Sequence, residues 1–459
     1  MSSTGLDLAR TKMSEAGVDP VAIETFAHYY RLLEHGETGL IPESSIEPLD
    51  MESLADVEVD DETASAAMRT TAVIKLNGGL GTSMGMDRAK SLLCVRKGWS
   101  FLDVIARQVL HLRRTHDAPL PLLFMNSFRT SRDTMAALAR YADLPVEGLP
   151  LEFLQNREPK LRADDLTPVT WAKDPDLEWC PPGHGDLYTA LRGTGLLTTL
   201  VEQGYERVFV SNSDNLGATP DPRVAGWFAR SGAPFAIEAV RRTPSDVKGG
   251  HFARRKSDDR IVLRETAQTS KEDRAALADL DRHRFCSTNN LWFDLRAMTE
   301  AIEARHGILG LPLIRNTKTV DPGDPSSPEV IQIETAMGAA IEVFEGATTI
   351  EVGRDRFVPV KTTNDLLVLR SDVYDVGKDF VLSPVSDQLP FVDLDSDFYK
   401  LVPEFERRFP EGAPSLREAT SLKVQGDWTF GREVKVKGDV SLETAAAARV
   451  ETGSVLEHD

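Results

Sequence analysis

From Thr71 onward the chain alternates short apolar runs with longer amphipathic ones, and this alternation restricts its fold more than any other feature. TAVIKL, PLLFMN, RVFVSN and PFAIEAV read as buried strands, whereas FLDVIARQVLHLRR and TALRGTGLLTTLVEQG read as helices. Parallel strands need a crossover, usually helical, so such grammar over about 300 residues selects a three-layer α/β domain with a largely parallel sheet. Binding sites in these sheets gather at the carboxyl ends of the strands. Every polar or glycine-rich motif considered below follows a strand or sits in a loop.

The flanks differ in grammar. Asp19-Pro20 supplies an N-cap and a proline at the first helical position, Ile23, Phe26, Tyr30 and Leu33 repeat at helical spacing, and Gly36 can close that helix. ADVEVDDETAS then reads as a polar linker. Near the C-terminus Trp428, Val434 and Val440 are six apart, as are Phe430, Val436 and Leu442. A six-residue period belongs to a hexapeptide β-helix of about three coils, the alternative being a β-hairpin cap. The expected division is 1–70, a helical segment and linker; 71–375, the α/β domain; and 376–459, a C-terminal region with the short β-helix.

Composition excludes some classes. No apolar run approaches the ~18 residues of a membrane span, and the N-terminus lacks the basic and apolar regions of a secretory signal. Cys94, Cys180 and Cys286 are widely spaced and form no metal-ligand pattern, so reduced thiols and a cytoplasmic location are expected. A net charge of −19 argues against nucleic acid and anionic membranes, both polyanions. It leaves room for a nucleotide, which one local cluster of lysines can hold. A homo-oligomer is left open.

The chemistry-bearing motifs begin with KLNGGLGTSMGMDRAK, residues 75–90. It fits neither a Walker loop nor GxGxxG. Successive backbone N–H groups from Gly78-Gly79-Leu80-Gly81 can still form an anion-binding concavity, with Lys90 as a point charge. The plain alternative is a tight turn with a surface lysine. In RVFVSNSDNLGA, Asp214 lies between Asn212 and Asn215 just past a strand. A lone carboxylate there suits Mg²⁺, which completes its shell with phosphates and water, and suits an Asx-turn equally well. In WCPPGHGDLYTAL, His184 stands between Gly183 and Gly185, presented rather than packed. Asn290, in STNNLWFDL, and Glu334, in VIQIETAMGAAI, need polar partners, either sugar hydroxyls or internal hydrogen bonds. Lys361, in RFVPVKTTNDLL, is either a surface lysine or a phosphate ligand.

Taken in order, LNGGLGTSMG…K, FLQNREPK, PPGHGDLY, SNSDNLGA, TNNLW, QIETAMGAAI and FVPVKTTNDLL resemble the eukaryotic-type UTP–glucose-1-phosphate uridylyltransferases (UDP-glucose pyrophosphorylases), from about Thr71 to the C-terminus. The resemblance implies an α/β fold: a GT-A-like (Rossmann-like) three-layer nucleotidyltransferase domain, preceded by a helical segment and followed by a small left-handed β-helix. It implies that Leu76, Asn77, Gly78 and Gly79 hold uridine and phosphates through backbone groups, and that Gln155 and the backbone at Gly183 read the uracil edge. It puts His184 and Asn212 on the sugar phosphate, and Gly250, Asn290 and Glu334 around the glucose. Asp214 becomes the Mg²⁺ ligand on the nucleotide, and Lys90 and Lys361 the catalytic lysines that neutralise the phosphates.

The chain departs from the family pattern at a few positions. Asp87-Arg88-Ala89 precede Lys90 where the family has Lys-Gly-Pro, Cys286-Ser287 replace Phe-Asn, and His251-Phe252 replace small residues. Ser83 stands where relatives using N-acetylglucosamine phosphate carry arginine, which favours glucose. The expected reaction joins UTP and glucose 1-phosphate into UDP-glucose, releasing pyrophosphate. The alternatives are a pyrophosphorylase using galactose 1-phosphate or another hexose phosphate, and a non-catalytic UDP-sugar-binding regulatory protein. The latter would be marked by loss of Lys90, Asp214 or Lys361, and all three are present.

Overall fold

The fold is organised around Thr71–Asn77, whose side chains alternate between two apolar layers: Ala72 and Ile74 pack on one side, Val73 on the other. In the computed structural model, which describes residues 3–457 apart from residues 97, 248 and 387, this strand lies within an eight-stranded sheet. In chain order the strands are β1 (Glu52–Ser53), β2 (Thr71–Asn77), β3 (Leu122–Asn126), β4 (Glu152–Leu154), β5 (Arg207–Asn212), β6 (Phe235–Arg241), β7 (Phe285–Asp294) and β8 (Thr348–Glu351). Across the sheet they run β1-β8-β6-β7-β5-β2-β3-β4. β5, β2, β3 and β4 are parallel, as are β6, β8 and β1, while β7 runs antiparallel between β5 and β6.

Helices cover both faces. One face carries Phe101–His116, Pro222–Ser231 and Thr363–Arg370, and the other carries Asp186–Gly193, Leu196–Glu202 and Leu295–Ala304. The strands expected from TAVIKL, PLLFMN, RVFVSN and PFAIEAV are β2, β3, β5 and β6. The Phe101–His116 helix starts at a reciprocal cap in which Asp103 N–H donates to Ser100 Oγ (3.2 Å) and Ser100 N–H to Asp103 Oδ2 (2.8 Å). Asp19 caps the second N-terminal helix, Pro20–Glu34, as its sequence implies.

Two local expectations are corrected. The helix expected over TALRGTGLLTTLVEQG is two helices, broken where Gly195 adopts φ +70°, a left-handed geometry that interrupts the helical ladder. The polar linker ADVEVDDETAS contains the start of a helix, Asp61–Arg69, capped by Asp60. Its apolar stripe is only Ala64, Ala67 and Met68, and it packs against Pro222–Ser231.

In the C-terminal region, strands Phe391–Leu394, Ser415–Gln425, Lys435–Glu443 and Val455–Glu457 pair in parallel, as do Trp428–Phe430 and Ala448–Val450. Leu422 lies beside Val440 and Val424 beside Leu442, eighteen residues apart and three times the hexad spacing, whereas Trp428 lies beside Ala448 and Lys435 beside Val455, twenty apart. Phe430, Val434, Val436 and Val440 are buried there and continue the core on the helix 101–116 side of the sheet.

Candidate active site

The parallel strands end side by side at Asn77, Asn126, Leu154 and Asn212, and the loops leaving them converge. The glycine loop after β2 folds back on itself. Gly81 and Gly85 take φ +67° and +73°, and the Lys90 N–H donates to the Gly79 carbonyl at 3.2 Å. Ala89, in the place of the family's proline, has φ −52°, within the range a proline ring imposes. The approach to Lys90 is thus kept without the ring, while Arg88 is exposed.

Two of the loop's glycines do different work. A Cβ on Gly78 would stand 2.5 Å from Gln155 Oε1, whereas one on Gly79 would meet nothing within 4 Å. Gly78 therefore admits the Gln155 side chain, and Gly79 presents bare backbone. Gln155 in turn donates from Nε2 to the Gly183 carbonyl (3.1 Å). Gly78, Gln155 and Gly183, remote in the chain, form one cluster. The Asn77 side chain is turned inward, donating to Asn126 Oδ1 and Thr134 Oγ1, so it is the backbone at Leu76 and Asn77 that borders this region.

Gly183 has φ +78°, and a Cβ there would strike the Thr335 carbonyl oxygen at 2.5 Å. Thr335 N–H donates to the Pro182 carbonyl and Gly185 N–H to the Thr335 carbonyl, locking the two segments together. His184 Nδ1 accepts from the Met337 N–H at 2.9 Å, which puts the ring proton on Nε2. Burial lowers the His184 pKa, with Glu334 nearby opposing, so the imidazole is neutral and Nε2–H remains as a donor.

Asp214 is met from two sides. Lys90 Nζ lies 2.8 Å from its Oδ2, and the Val360 N–H donates to its carbonyl (3.1 Å). Asp214 and Lys361, 147 positions apart, are thereby neighbours on a cavity of about 160 Å³ that also includes Asn212, Gly250, Glu265, Ser287 and Asn289. Lys361 is exposed, and its backbone N–H is fixed by Asp365 Oδ2 at 2.8 Å. The cavity wall at Ser287–Asn289 is made by a bulge: Glu238 pairs with Asn290 but Ala239 with Ser287, and Asn289 sits at φ +58°.

Two carried-over residues have side chains engaged elsewhere. Asn290 is fully buried and donates to Glu238 Oε2 (3.0 Å), while its Oδ1 has no partner among the described residues. Glu334 lies beside Gly183 and His184, with Lys318 Nζ at 3.4 Å from its Oε1.

Sequence reasoning missed several groups. Glu265 lines the cavity, and burial raises its pKa, with Lys361 opposing. Lys75, below the floor, donates to Ser211 Oγ (2.7 Å) and the Ala218 carbonyl (2.5 Å), and burial lowers its pKa to about 7. A neutral amine has two donors, and both are used. Burial holds the Cys286 thiol at about 12, an unreactive wall residue. Nothing in RETAQT or KLNGG separates Glu265 or Lys75 from ordinary polar residues, because both are defined by distant partners.

Metal fit follows from the donor set. Among the described residues no three His, Cys, Asp or Glu side chains gather as a metal cage. Asp214, partly exposed beside two lysines, offers one carboxylate, the ligand count Mg²⁺ takes when phosphates fill the rest of its shell. The residues fit a substrate-borne cation.

Comparison with known proteins gives the family. The family model for UTP–glucose-1-phosphate uridylyltransferase matches residues 23–437. The Hordeum vulgare UTP–glucose-1-phosphate uridylyltransferase is 37% identical over 413 residues, 89% of this chain and 85% of that protein. The Saccharomyces cerevisiae protein of the same name is 39% identical over 392 residues, 84% and 77% respectively. A Leishmania major UDP-glucose pyrophosphorylase variant crystallised with UDP-glucose superposes with a TM-score of 0.93 at 44% identity, covering 99% of this chain and 98% of that one. A Trypanosoma brucei UDP-glucose phosphorylase gives 0.92 at 42%, covering 100% and 99%.

Proposed function

This chain belongs to the UTP–glucose-1-phosphate uridylyltransferase family, and from that premise we propose how its residues divide the work. The chain is a nucleotidyltransferase that makes UDP-glucose and pyrophosphate from UTP and glucose 1-phosphate. In our reading a phosphate oxygen of glucose 1-phosphate attacks the α-phosphorus of UTP in line. The new P–O bond forms as the α–β bridging bond breaks, and pyrophosphate carries away the electron pair. Both reactants are anions, so the site's task is to align them and cancel charge rather than to supply a strong base.

The observation that carries this division is that Asp214 and Lys361 line one cavity while Lys90 pairs with Asp214 at its edge. Lys90 steadies the nucleotide phosphates beside the bare backbone of Gly79, and Lys361 faces the phosphoryl group being transferred. Gln155 and Gly183 border the uracil. His184, as a neutral Nε2–H donor, and Asn212 serve the sugar phosphate, and Gly250 with Glu265 and the Ser287–Asn289 bulge wall in the sugar. Asp214 would hold Mg²⁺, which when bound screens the phosphate charge. Asn290 and Glu334 then support the glucose pocket from behind, through Glu238 and His184.

We read the sheet with its antiparallel β7 as a GT-A-like arrangement within 71–375, and the parallel circuits of eighteen to twenty residues in 376–459 as a short β-helix. Three thiols without a disulfide suit a cytoplasmic enzyme, and no described helix is long and apolar enough to cross a membrane.

The test is pyrophosphate release by purified protein against a panel of nucleoside triphosphates and hexose phosphates. UTP with glucose 1-phosphate should be the best pair, with adenine, guanine and cytosine rejected heavily because their edges do not match the Gln155 amide and Gly183 backbone that read uracil in this assignment. Comparable turnover with ATP or CTP would refute the uracil assignment, and equal use of galactose 1-phosphate would refute strict glucose specificity.

A further inference from the structure

Beneath the cavity lies an ion pair that the reaction does not touch. Glu238, at the centre of β6 and fully buried, takes both Arg356 Nε on Oε2 and Arg356 Nη2 on Oε1, each at 2.7 Å. Trp292 Nε1 (2.9 Å) and Asn290 Nδ2 (3.0 Å) complete its acceptor capacity. Such a pair is poor evidence of stabilisation, because desolvating two charges offsets most of their attraction. A planar fork saturated on both carboxylate oxygens does fix orientation.

What it orients is the segment leading to Lys361. Arg356 Nη2 also donates to the Thr219 carbonyl (2.9 Å), and the Arg356 carbonyl accepts from Asn215 Nδ2 (3.1 Å). Asn215 Oδ1 accepts from the Val358 N–H (2.9 Å), and the Val360 N–H donates to the Asp214 carbonyl (3.1 Å). The two loops are so close at Gly217 that a Cβ there would lie 2.2 Å from the Asp355 carbonyl oxygen. The loop carrying Asp214 and the segment carrying Lys361 are thus laced together residue by residue, and the lacing is bolted to the sheet at Glu238.

We propose that the Glu238–Arg356 pair is a positioning device for the transfer step, holding Lys361 in register with Asp214. It rests on the reading of Lys361 as the lysine at the transferred phosphoryl group. Because the pair borders neither Gln155 nor the glycine loop, its loss should act through Lys361 and appear in kcat rather than in the KM for UTP.

The experiment is a double-mutant cycle on the full chain. Arg356→Lys keeps the charge but loses the fork, and Glu238→Gln keeps the shape but loses the charge. Each is made alone and on a Lys361→Ala background, with circular dichroism and melting to establish folding. Arg356→Lys should lower kcat about ten-fold or more while changing the KM for UTP less than about two-fold. On Lys361→Ala the same substitution should change kcat by less than about three-fold, since the group it positions is gone. Glu238→Gln should follow the same pattern. Should Arg356→Lys not fold, Asn215→Ser, which cuts the lacing without disturbing the ion pair, is put through the same cycle with the same expectations. A folded Arg356→Lys enzyme with kcat within about three-fold of its parent overturns the proposal, as do equal losses on both backgrounds. A Lys361→Ala enzyme that itself retains near-full kcat overturns the reading of Lys361, and the proposal with it.

Discussion

Removing the ammonium of Lys90 should do two opposite things, strengthening metal binding to the nucleotide-free protein and weakening catalysis. Lys90 Nζ sits 2.8 Å from Asp214 Oδ2, the side chains being 17% and 25% exposed. At an effective dielectric of ~20 the gross attraction at that separation is about 6 kcal/mol. Desolvation and side-chain ordering consume most of it. A pair intermediate between surface and interior should retain a net of about 1–2 kcal/mol. A divalent cation approaching Asp214 must displace or share that contact. Lys90→Ala should therefore tighten Mg²⁺ or Mn²⁺ binding by roughly 5–30-fold, the factor that 1–2 kcal/mol represents. The assay is Mn²⁺ titration of nucleotide-free protein, followed by electron paramagnetic resonance or calorimetry, with Asp214→Asn as the control that should lose the site. The same Lys90→Ala enzyme should show a raised KM for UTP as well as a lower kcat, because its loop borders the nucleotide in the ground state. Unchanged or weaker Mn²⁺ binding in Lys90→Ala would show that the ammonium and the cation do not compete. Asp214 would then not be the carboxylate that meets the metal.

Lys361→Ala should cost roughly 10²–10³ in kcat by analogy with losing one preorganised electrostatic donor. Lys361→Arg should restore only part of it, since a planar fork replaces a point charge; steady-state kinetics on folded variants read both. Gly183→Ala should raise the KM for UTP by at least about ten-fold, because its left-handed φ alone costs about 1–2 kcal/mol and its Cβ would strike the Thr335 carbonyl; kinetics beside melting temperatures separate this from unfolding. Lys75 gives a pH signature. Its folded pKa is about 7 against a model-peptide value of 10.5, so between those values the unfolded chain binds a proton that the folded chain does not. Stability should rise with pH over that window relative to Lys75→Met, by up to about 1.4 kcal/mol per pH unit. Melting temperatures of both proteins at pH 7 and 9.5 test it, and parallel shifts would contradict it.

Signals carried within a few residues were legible in the sequence. The apolar runs before Asn77, Asn126 and Asn212 gave strands because burial on both faces leaves few polar positions. Asp19 with Pro20 marked a helix start by local hydrogen bonding. The glycine loop was legible for the same reason, since Gly81 and Gly85 need left-handed backbone wherever the chain goes next. Asp61–Arg69 was not, because a stripe of two alanines and one methionine among acids carries little periodic signal. The break at Gly195 was missed because a glycine inside a helical pattern is tolerated as often as it interrupts. The bulge at Thr288–Asn289 escaped because its cause is the pairing with β6, remote in sequence.

The polar groups divide along the same line, and the division explains how the site is built. Lys90, Asp214 and Lys361 could be singled out because each sits in a loop inside a local motif, and the fold then sets Asp214 and Lys361 on one cavity with Lys90 paired to Asp214. Glu238 and Arg356 look like faults in the text: a carboxylate in the middle of PFAIEAV, and an arginine before an apolar run. Their meaning exists only as a pair, joined across 118 positions. A reaction between two anions asks for cations from distant loops to stand within ångströms of one another. Strand grammar cannot set that register, because it fixes only where loops begin. The register has to come from long-range polar contacts strong enough to orient and buried enough not to exchange with water. The Asn215 amide and the Glu238–Arg356 fork meet both conditions between the Asp214 loop and the Lys361 segment, and an apolar contact of equal burial would leave the two loops free to slide.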